Sequence, residues 1–169
     1  MTPAVSVVLT TFNGATRGFL AEAIDSVIAQ TDTDFELLIV DDGSTDDTEN
    51  FCSRYLEDDR VRYVKKNNGG VASARNLGIR EARAELICFL DDDDVWMPHK
   101  LAMQRNTFAT ASPRPALVSS GIEVTDVSGN IQHRQYHESP TDVYRILFYE
   151  NIVDATSSVM VSAQALREV

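Results

Sequence analysis

The sequence predicts an α/β fold: a mostly parallel central sheet with helices on both faces, followed by a C-terminal hairpin. Three observations predict it. Short apolar runs rich in Val, Ile and Leu alternate with stretches at helical spacing, the β-α-β-α order of a parallel sheet. The runs at 5–9, 35–40 and 86–90 end in polar or acidic tails, "TTFN", "DDGS" and "DDDD". Beyond residue 116 the pattern changes to short strands around a Ser-Gly-Asn turn.

Each element has its own signal. Val5–Leu9 is a β-branched run closing at Thr10 and Thr11, read as a buried strand. Leu20, Ala23, Ile24, Val27 and Ile28 recur at helical spacing and predict an amphipathic helix over 17–30. Phe35–Val40 is a second strand, with Ser44 or Thr45 expected to cap a helix running to Leu56. Val61–Val64 is a third strand. A Gly-rich turn at Gly69-Gly70 opens a helix carrying Val71, Ala74, Leu77 and Ile79 to about Ala84. Glu85–Leu90 is the fourth strand, and Pro98 starts a helix over 98–110. Further on, 116–122 reads as a strand, 124–127 with 131–136 as a hairpin, and Ser139-Pro140 as a helix start. A strand at 158–161 and a helix capped by Ser162 complete the chain. That last helix has no stop signal, so the expectation is a single domain truncated at its C-terminus.

Bulk properties narrow the function. With 169 residues, 43% hydrophobic and 24% charged, the chain has an ordinary globular composition and enough length for one core. Its net charge of −11 argues against a nucleic-acid partner, which needs a basic face. A phosphorylated small molecule held through a metal ion stays compatible. Cys52 and Cys88 form no CxxC pair, so a reducing cytoplasm is expected. "MTPAVSVVLTTFNG" does not read as a signal peptide, and no stretch approaches a membrane span. His99, His133 and His137 form no metal motif.

In a parallel sheet ligands bind beyond the carboxyl ends of the strands, so the polar tails should converge on one rim. Hard cations such as Mg²⁺ or Mn²⁺ take few carboxylates and leave room for phosphates. If the strand stays extended, Asp91 and Asp93 face one side and Asp92 and Asp94 the other. A solvated acidic turn capping the next helix explains the same run equally well. Asp46 and Asp47 suit the first turn of a helix. Asp42 is in excess of that need and is a candidate acceptor for a base or ribose. Phe12 is placed either to stack on a flat ring or to pack on the first helix. The Gly70 turn offers backbone amides, and Arg75 a charge, to an anion.

Taken together, "SVVLTTFNG", "DFELLIVDDGSTDDT", "RVRYVKKNNGGVASARNLGI" and "AELICFLDDDDVWMPHKL" closely resemble the family 2 glycosyltransferases, with their GT-A (Rossmann-like) nucleotide-sugar-binding fold. The resemblance covers about 4–105, and 116–169 more loosely. It implies a nucleotide-binding portion over 1–110 and the start of an acceptor portion over 111–169. Thr10 and Phe12 match the first-strand motif that contacts the nucleotide base, with Thr11 and Asn13 beside them. Phe12 stands where Tyr is commoner, and Thr10 where Pro is. Asp42 matches the aspartate that hydrogen-bonds the base, and Gly70 and Arg75 lie where the base and diphosphate approach. Asp91-Asp92-Asp93 carries the family's DXD, with Asp91 and Asp93 as metal ligands, Asp93 foremost. Trp96 matches an aromatic near the sugar or acceptor.

The implied activity is inverting transfer from a nucleotide-diphosphate sugar, UDP-sugar first, to a saccharide or lipid-linked acceptor, assisted by Mg²⁺ or Mn²⁺. A role in surface-polysaccharide assembly follows at family level, at the cytoplasmic face with peripheral membrane association. The family's usual catalytic base lies downstream of residue 169, and Glu150 and Asp154 sit in no matching motif. Three other readings compete: a non-catalytic nucleotide-sugar-binding module, a nucleotidyltransferase and a receiver domain. The last two fit less well, because "TTFNGATRG" is no Gly-rich basic loop and a four-Asp run is no lone phosphoacceptor.

Overall fold

The computed structural model describes residues 2–126, 128–136 and 155–168. The first half follows the expected alternation: β1 (Val5–Thr11), α1 (Gly14–Arg17), α2 (Leu20–Ile28), β2 (Phe35–Asp41), α3 (Thr48–Ser53) with a 3-10 turn over Arg54–Glu57, β3 (Val61–Lys65), α4 (Val71–Glu81), β4 (Leu86–Asp91) and α5 (Lys100–Thr110). The second half holds β5 (Leu117–Ser119), β6 (Ile122–Thr125), β7 (Ile131–Gln135), a 3-10 turn over Thr156–Ser158, β8 (Val159–Ser162) and α6 (Ala163–Arg167).

The central sheet runs β3-β2-β1-β4-β8-β5. The first four strands of that order are mutually parallel, and β8 is antiparallel to both β4 and β5. The chain moves outward from β1 to β3, then crosses back through α4 to place β4 on the other side of β1. That reversal is the topological switch point, and the crevice above it is where such sheets bind ligands. β6 and β7 form a separate antiparallel hairpin, as expected, though its first strand is Ile122–Thr125 where 124–127 was expected.

Strand periodicity sorts the core. Val5, Val7 and Leu9 point to one face with Leu37, Ile39, Cys88 and Leu90, against Leu20, Ile24 and Val27 of α2 and Leu101 and Phe108 of α5. Val8, Leu38, Val40, Ile87 and Phe89 point to the other, against Ala74 and Leu77 of α4. Helices therefore cover both faces. At the amino ends of the strands, Ser6 donates to the buried Glu36 at 2.7 Å, which also receives the Arg83 amide at 2.7 Å and pairs with Arg62. No helix among the described residues is long and apolar enough to cross a membrane.

Four element expectations need correction. The helix expected over 17–30 is α2 alone, Leu20–Ile28: Arg17 ends the short α1 before it, and Gly18, at a positive φ of 86°, separates the two. The helix expected from a Ser44 or Thr45 cap starts at Thr48: Ser44 Oγ, the acceptor a cap would use, takes the Asn13 amide at 2.8 Å while its amide and hydroxyl donate to Asp41. The helix expected from Pro98 begins at Lys100. The strand over 116–122 shrinks to Leu117–Ser119. The helix expected from Ser139, with Glu150 and Asp154, lies outside the described residues. Ser162 does cap α6, accepting the Ala165 amide at 3.1 Å.

Candidate functional site

Parallel register delivers the three polar tails to one rim. Thr10 pairs with Asp91 across β1 and β4, and Thr11 with Asp41 across β1 and β2. Side chains then join across strands. Thr10 reaches Asp91 at 3.5 Å, and Thr11 donates to Asp92 at 2.5 Å.

The four carboxylates divide, though not by strict alternation. Extended backbone stops at Asp91, and the Asp94 amide donates back to the Asp91 carbonyl at 3.1 Å, closing a turn. The side-to-side alternation expected from Asp91 to Asp94 therefore does not persist. Asp91 takes Arg75 Nη2 on both oxygens, at 2.6 and 2.9 Å. Asp92 is held by Thr11 and by Arg17 Nη1 at 2.9 Å. Asp93 takes Arg17 Nη2 at 2.9 Å, and its side chain is 49% exposed. Asp94 accepts the Ser157 hydroxyl at 2.5 Å, while Ser157 Oγ receives the Asp91 amide at 3.0 Å. Burial pushes the Asp92 carboxyl up, with Thr11 and Arg17 opposing. Burial does the same at Asp94, opposed by Ser157. Two guanidiniums, Arg17 and Arg75, thus bring positive charge to Asp91, Asp92 and Asp93, while Asp94 is satisfied by the Ser157 hydroxyl.

At the end of β2 the paired aspartates separate in role. Asp41 is fully buried and satisfied by Ser44 and the Tyr63 hydroxyl, so it is structural. Burial and that bond push the Tyr63 phenol far up. Asp42 accepts Lys66 Nζ at 2.5 Å, the Gly69 amide at 3.1 Å and the Gly70 amide at 2.7 Å. Burial raises its pKa, but the Lys66 and glycine-amide bonds outweigh burial and hold the carboxyl below its ordinary value. The anion cradled by the Gly69-Gly70 amides is therefore Asp42 itself. Gly43, beside it, has φ 81°, and a Cβ there would lie 2.6 Å from the Asn68 amide nitrogen, so only glycine lets the two loops meet. A cleft of about 580 Å³ opens next to them, lined by Gly43, Lys65, Lys66, Asn67 and Asn68.

The remaining candidates fall on both sides of the expectation. Phe12 is 43% exposed just past β1. Asn13 staples two loops: its amide donates to Ser44 Oγ at 2.8 Å and its Oδ1 accepts the Thr45 amide at 2.9 Å. Trp96 is 5% exposed and packs in the core, its indole N–H donating to the Ser157 carbonyl at 2.9 Å. The Lys100 ammonium sits 4.3 Å above that ring, its pKa pushed down by burial. The structure thus places Trp96 under the rim as support rather than on its open face. Three rim residues escaped the sequence reading: Arg17, hidden in a stretch read as helix, Lys66, and Ser157 from far along the chain.

Among the described residues no three metal-ligating side chains converge. Mg²⁺-type ions are commonly held by one or two carboxylates with phosphates completing the shell. The half-exposed Asp93, with Asp91 at the strand end, fits that donor set.

A model of the family described as Glycosyl transferase family 2 matches residues 6–169. An uncharacterized glycosyltransferase of Rickettsia felis is 37% identical over 130 residues, which is 76% of this chain and 21% of that protein. Glycosyltransferase GlyG of Streptococcus pneumoniae is 38% identical over 97 residues, 56% of this chain and 32% of that protein. Among solved structures, S. aureus TarS 1–349 in complex with UDP superposes with a TM-score of 0.72 at 20% identity, over 98% of this chain and 48% of that one. The mannosyltransferase PcManGT of Pyrobaculum calidifontis, in complex with GDP-Man and Mn²⁺, gives 0.71 at 22% identity, over 99% and 47%. These likenesses show that the fold is the GT-A fold. The chain spans less than half the length of each of these proteins. With a family model matched along nearly its whole length, the chain belongs to glycosyltransferase family 2.

Proposed function

We propose that this chain binds the nucleotide-diphosphate-sugar donor of an inverting glycosyltransferase, with UDP-sugar the first candidate and a saccharide or lipid-linked acceptor. The observation that carries the reading is the convergence of Phe12, Asp42 and the Asp91–Asp93 run on one rim at the switch point of the sheet. Relatives of the same fold bind such donors: TarS was solved with UDP and UDP-GlcNAc, and PcManGT with GDP-Man and Mn²⁺.

In this reading the ring of the exposed Phe12 stacks on the base. Asp42 accepts a base N–H: Lys66 and the Gly69 and Gly70 amides already make four contacts to its two oxygens, so the base shares an oxygen with one of these donors. Arg75, fixed on Asp91, lends positive charge to the diphosphate side of the rim. Asp93 and Asp91 would hold Mg²⁺ or Mn²⁺, which supplies charge neutralisation of the nucleoside-diphosphate leaving group. The rigid strands fix the donor so that an acceptor hydroxyl can attack in line. Removal of the acceptor proton needs a carboxylate that we place outside the described residues. We also place the protein at the cytoplasmic face of the membrane, peripherally bound.

Calorimetric titration of UDP and a UDP-sugar, with and without Mn²⁺, tests this in the parent chain and in Asp93→Ala. Binding that strengthens with Mn²⁺ and weakens about ten-fold or more in Asp93→Ala is expected, the loss of one charge-assisted contact. Absence of binding, or binding indifferent to both metal and mutation, would sink the proposal.

A further inference from the structure

We propose that Arg17 is an exchangeable counter-ion of this rim. It spans Asp92 and Asp93, gives up Asp93 when a divalent metal binds there, and turns the released guanidinium nitrogen to the donor's diphosphate. The inference rests on the donor-site reading above and adds a residue and a sequence of contacts to it.

The two contacts of Arg17 are alike in length, 2.9 Å each, but unlike in surroundings. Asp92 has a side chain only 6% exposed and a second tether, the Thr11 hydroxyl. Asp93 is half-exposed, and among the described residues Arg17 is the one cation paired with it. Nη1 on Asp92 is therefore the fixed contact and Nη2 on Asp93 the replaceable one. Arg17 itself is half-exposed at the end of α1, where Gly18 turns the backbone away, so its side chain lies over the rim rather than in the core.

Magnitudes set the direction of exchange. An ion pair between half-exposed partners is weak, worth up to about five-fold in an equilibrium constant. A guanidinium–phosphate contact is charge-assisted, matches the planar fork of arginine and is the stronger of the two, worth about ten-fold or more. A divalent ion on Asp93 also leaves Arg17 with one carboxylate where it had two, facing a ligand of opposite charge. Arg17 thus opposes metal binding by itself and favours diphosphate binding once the metal is present.

That pairing of opposite signs is the test. Two titrations are run on the 169-residue chain and on Arg17→Gln and Arg17→Lys: Mn²⁺ alone, and UDP in saturating Mn²⁺. In Arg17→Gln, Mn²⁺ alone should bind roughly two- to five-fold tighter, because the competing pair is gone. UDP in Mn²⁺ should bind about ten-fold weaker. Arg17→Lys, which keeps the charge but cannot fork, should show the same signs at smaller size, and it carries the test if Arg17→Gln fails to fold. Both constants moving the same way, or either one unmoved, overturns the exchange. A parent chain that binds neither Mn²⁺ nor UDP overturns the donor-site reading itself and this inference with it.

Discussion

The Gly70 amide donates to Asp42 at 2.7 Å, so the turn that opens α4 is built on the carboxylate at the end of β2. The Gly69 amide and Lys66 reinforce the contact. Replacing Asp42 with Asn leaves one amide or the Lys66 ammonium facing an N–H₂ group. The expected cost is about 2 kcal/mol at pH 7, the range for an unsatisfied buried donor beside a charge. The folded pKa of Asp42 is depressed below its ordinary 3.8. Its stabilisation is therefore complete above 3.8 and is lost as pH falls through the lower, folded value. Urea midpoints of parent and Asp42→Asn should differ at pH 7 and converge below about pH 3.8. A gap that persists undiminished at low pH would show that the charge contributes nothing.

Phe12 is available for stacking without holding the fold together. It is too exposed for truncation to open a core cavity, so Phe12→Ala should change stability by no more than about 0.5 kcal/mol. Base stacking on an aromatic ring contributes about 1–3 kcal/mol, so UDP affinity should fall roughly five- to 150-fold. Phe12→Tyr should retain it. Parallel thermal melts and UDP titrations separate the two effects.

Trp96 should behave in the opposite way. Trp96→Phe removes the indole bond to Ser157 and part of the surface under Lys100. A loss of about 1–3 kcal/mol is expected from the orphaned carbonyl and the reduced packing. Its effect on UDP affinity should be smaller than that of Phe12→Ala. A larger effect on affinity than on chemical stability would return Trp96 to the open site.

Gly78 tests how closely α4 approaches the sheet. A Cβ built there would sit 2.2 Å from Val8 Cγ1, on a strand at the centre of the core. Alanine gains about 1 kcal/mol of helix propensity, but overpacking typically costs 1–3 kcal/mol, and more where backbone must move. Gly78→Ala should therefore lower the urea midpoint. Adding Val8→Ala should recover part of that loss relative to Val8→Ala alone, a coupling readable in a double-mutant cycle.

Much of this was legible in the sequence because strand ends and hydrophobic periodicity are local signals. Val5–Leu9, Phe35–Val40 and Leu86–Leu90 each announce a strand and the polar tail that follows, and the parallel register brings those tails together. What stayed hidden depends on contacts between distant residues. Nothing near Asp92 says that Arg17, seventy-five positions earlier, will pair with it. Ser157 reaches Asp94 only because β8 docks beside β4. Trp96 sits beside the acidic run in sequence, yet its indole turns into the core toward Ser157. Ser44 looked like a helix cap, but the Asn13 amide, thirty-one positions earlier, takes the oxygen a cap would use, and the helix starts later at Thr48.

A crystal structure of the chain with UDP and Mn²⁺, with an anomalous map at the manganese edge, tests the central claim most directly. The account predicts uracil against Phe12, one manganese in contact with Asp93 and the diphosphate, and Arg17 turned from Asp93 toward phosphate. Nucleotide bound away from the rim of β1, β2 and β4, or manganese touching none of Asp91, Asp92 and Asp93, would contradict it.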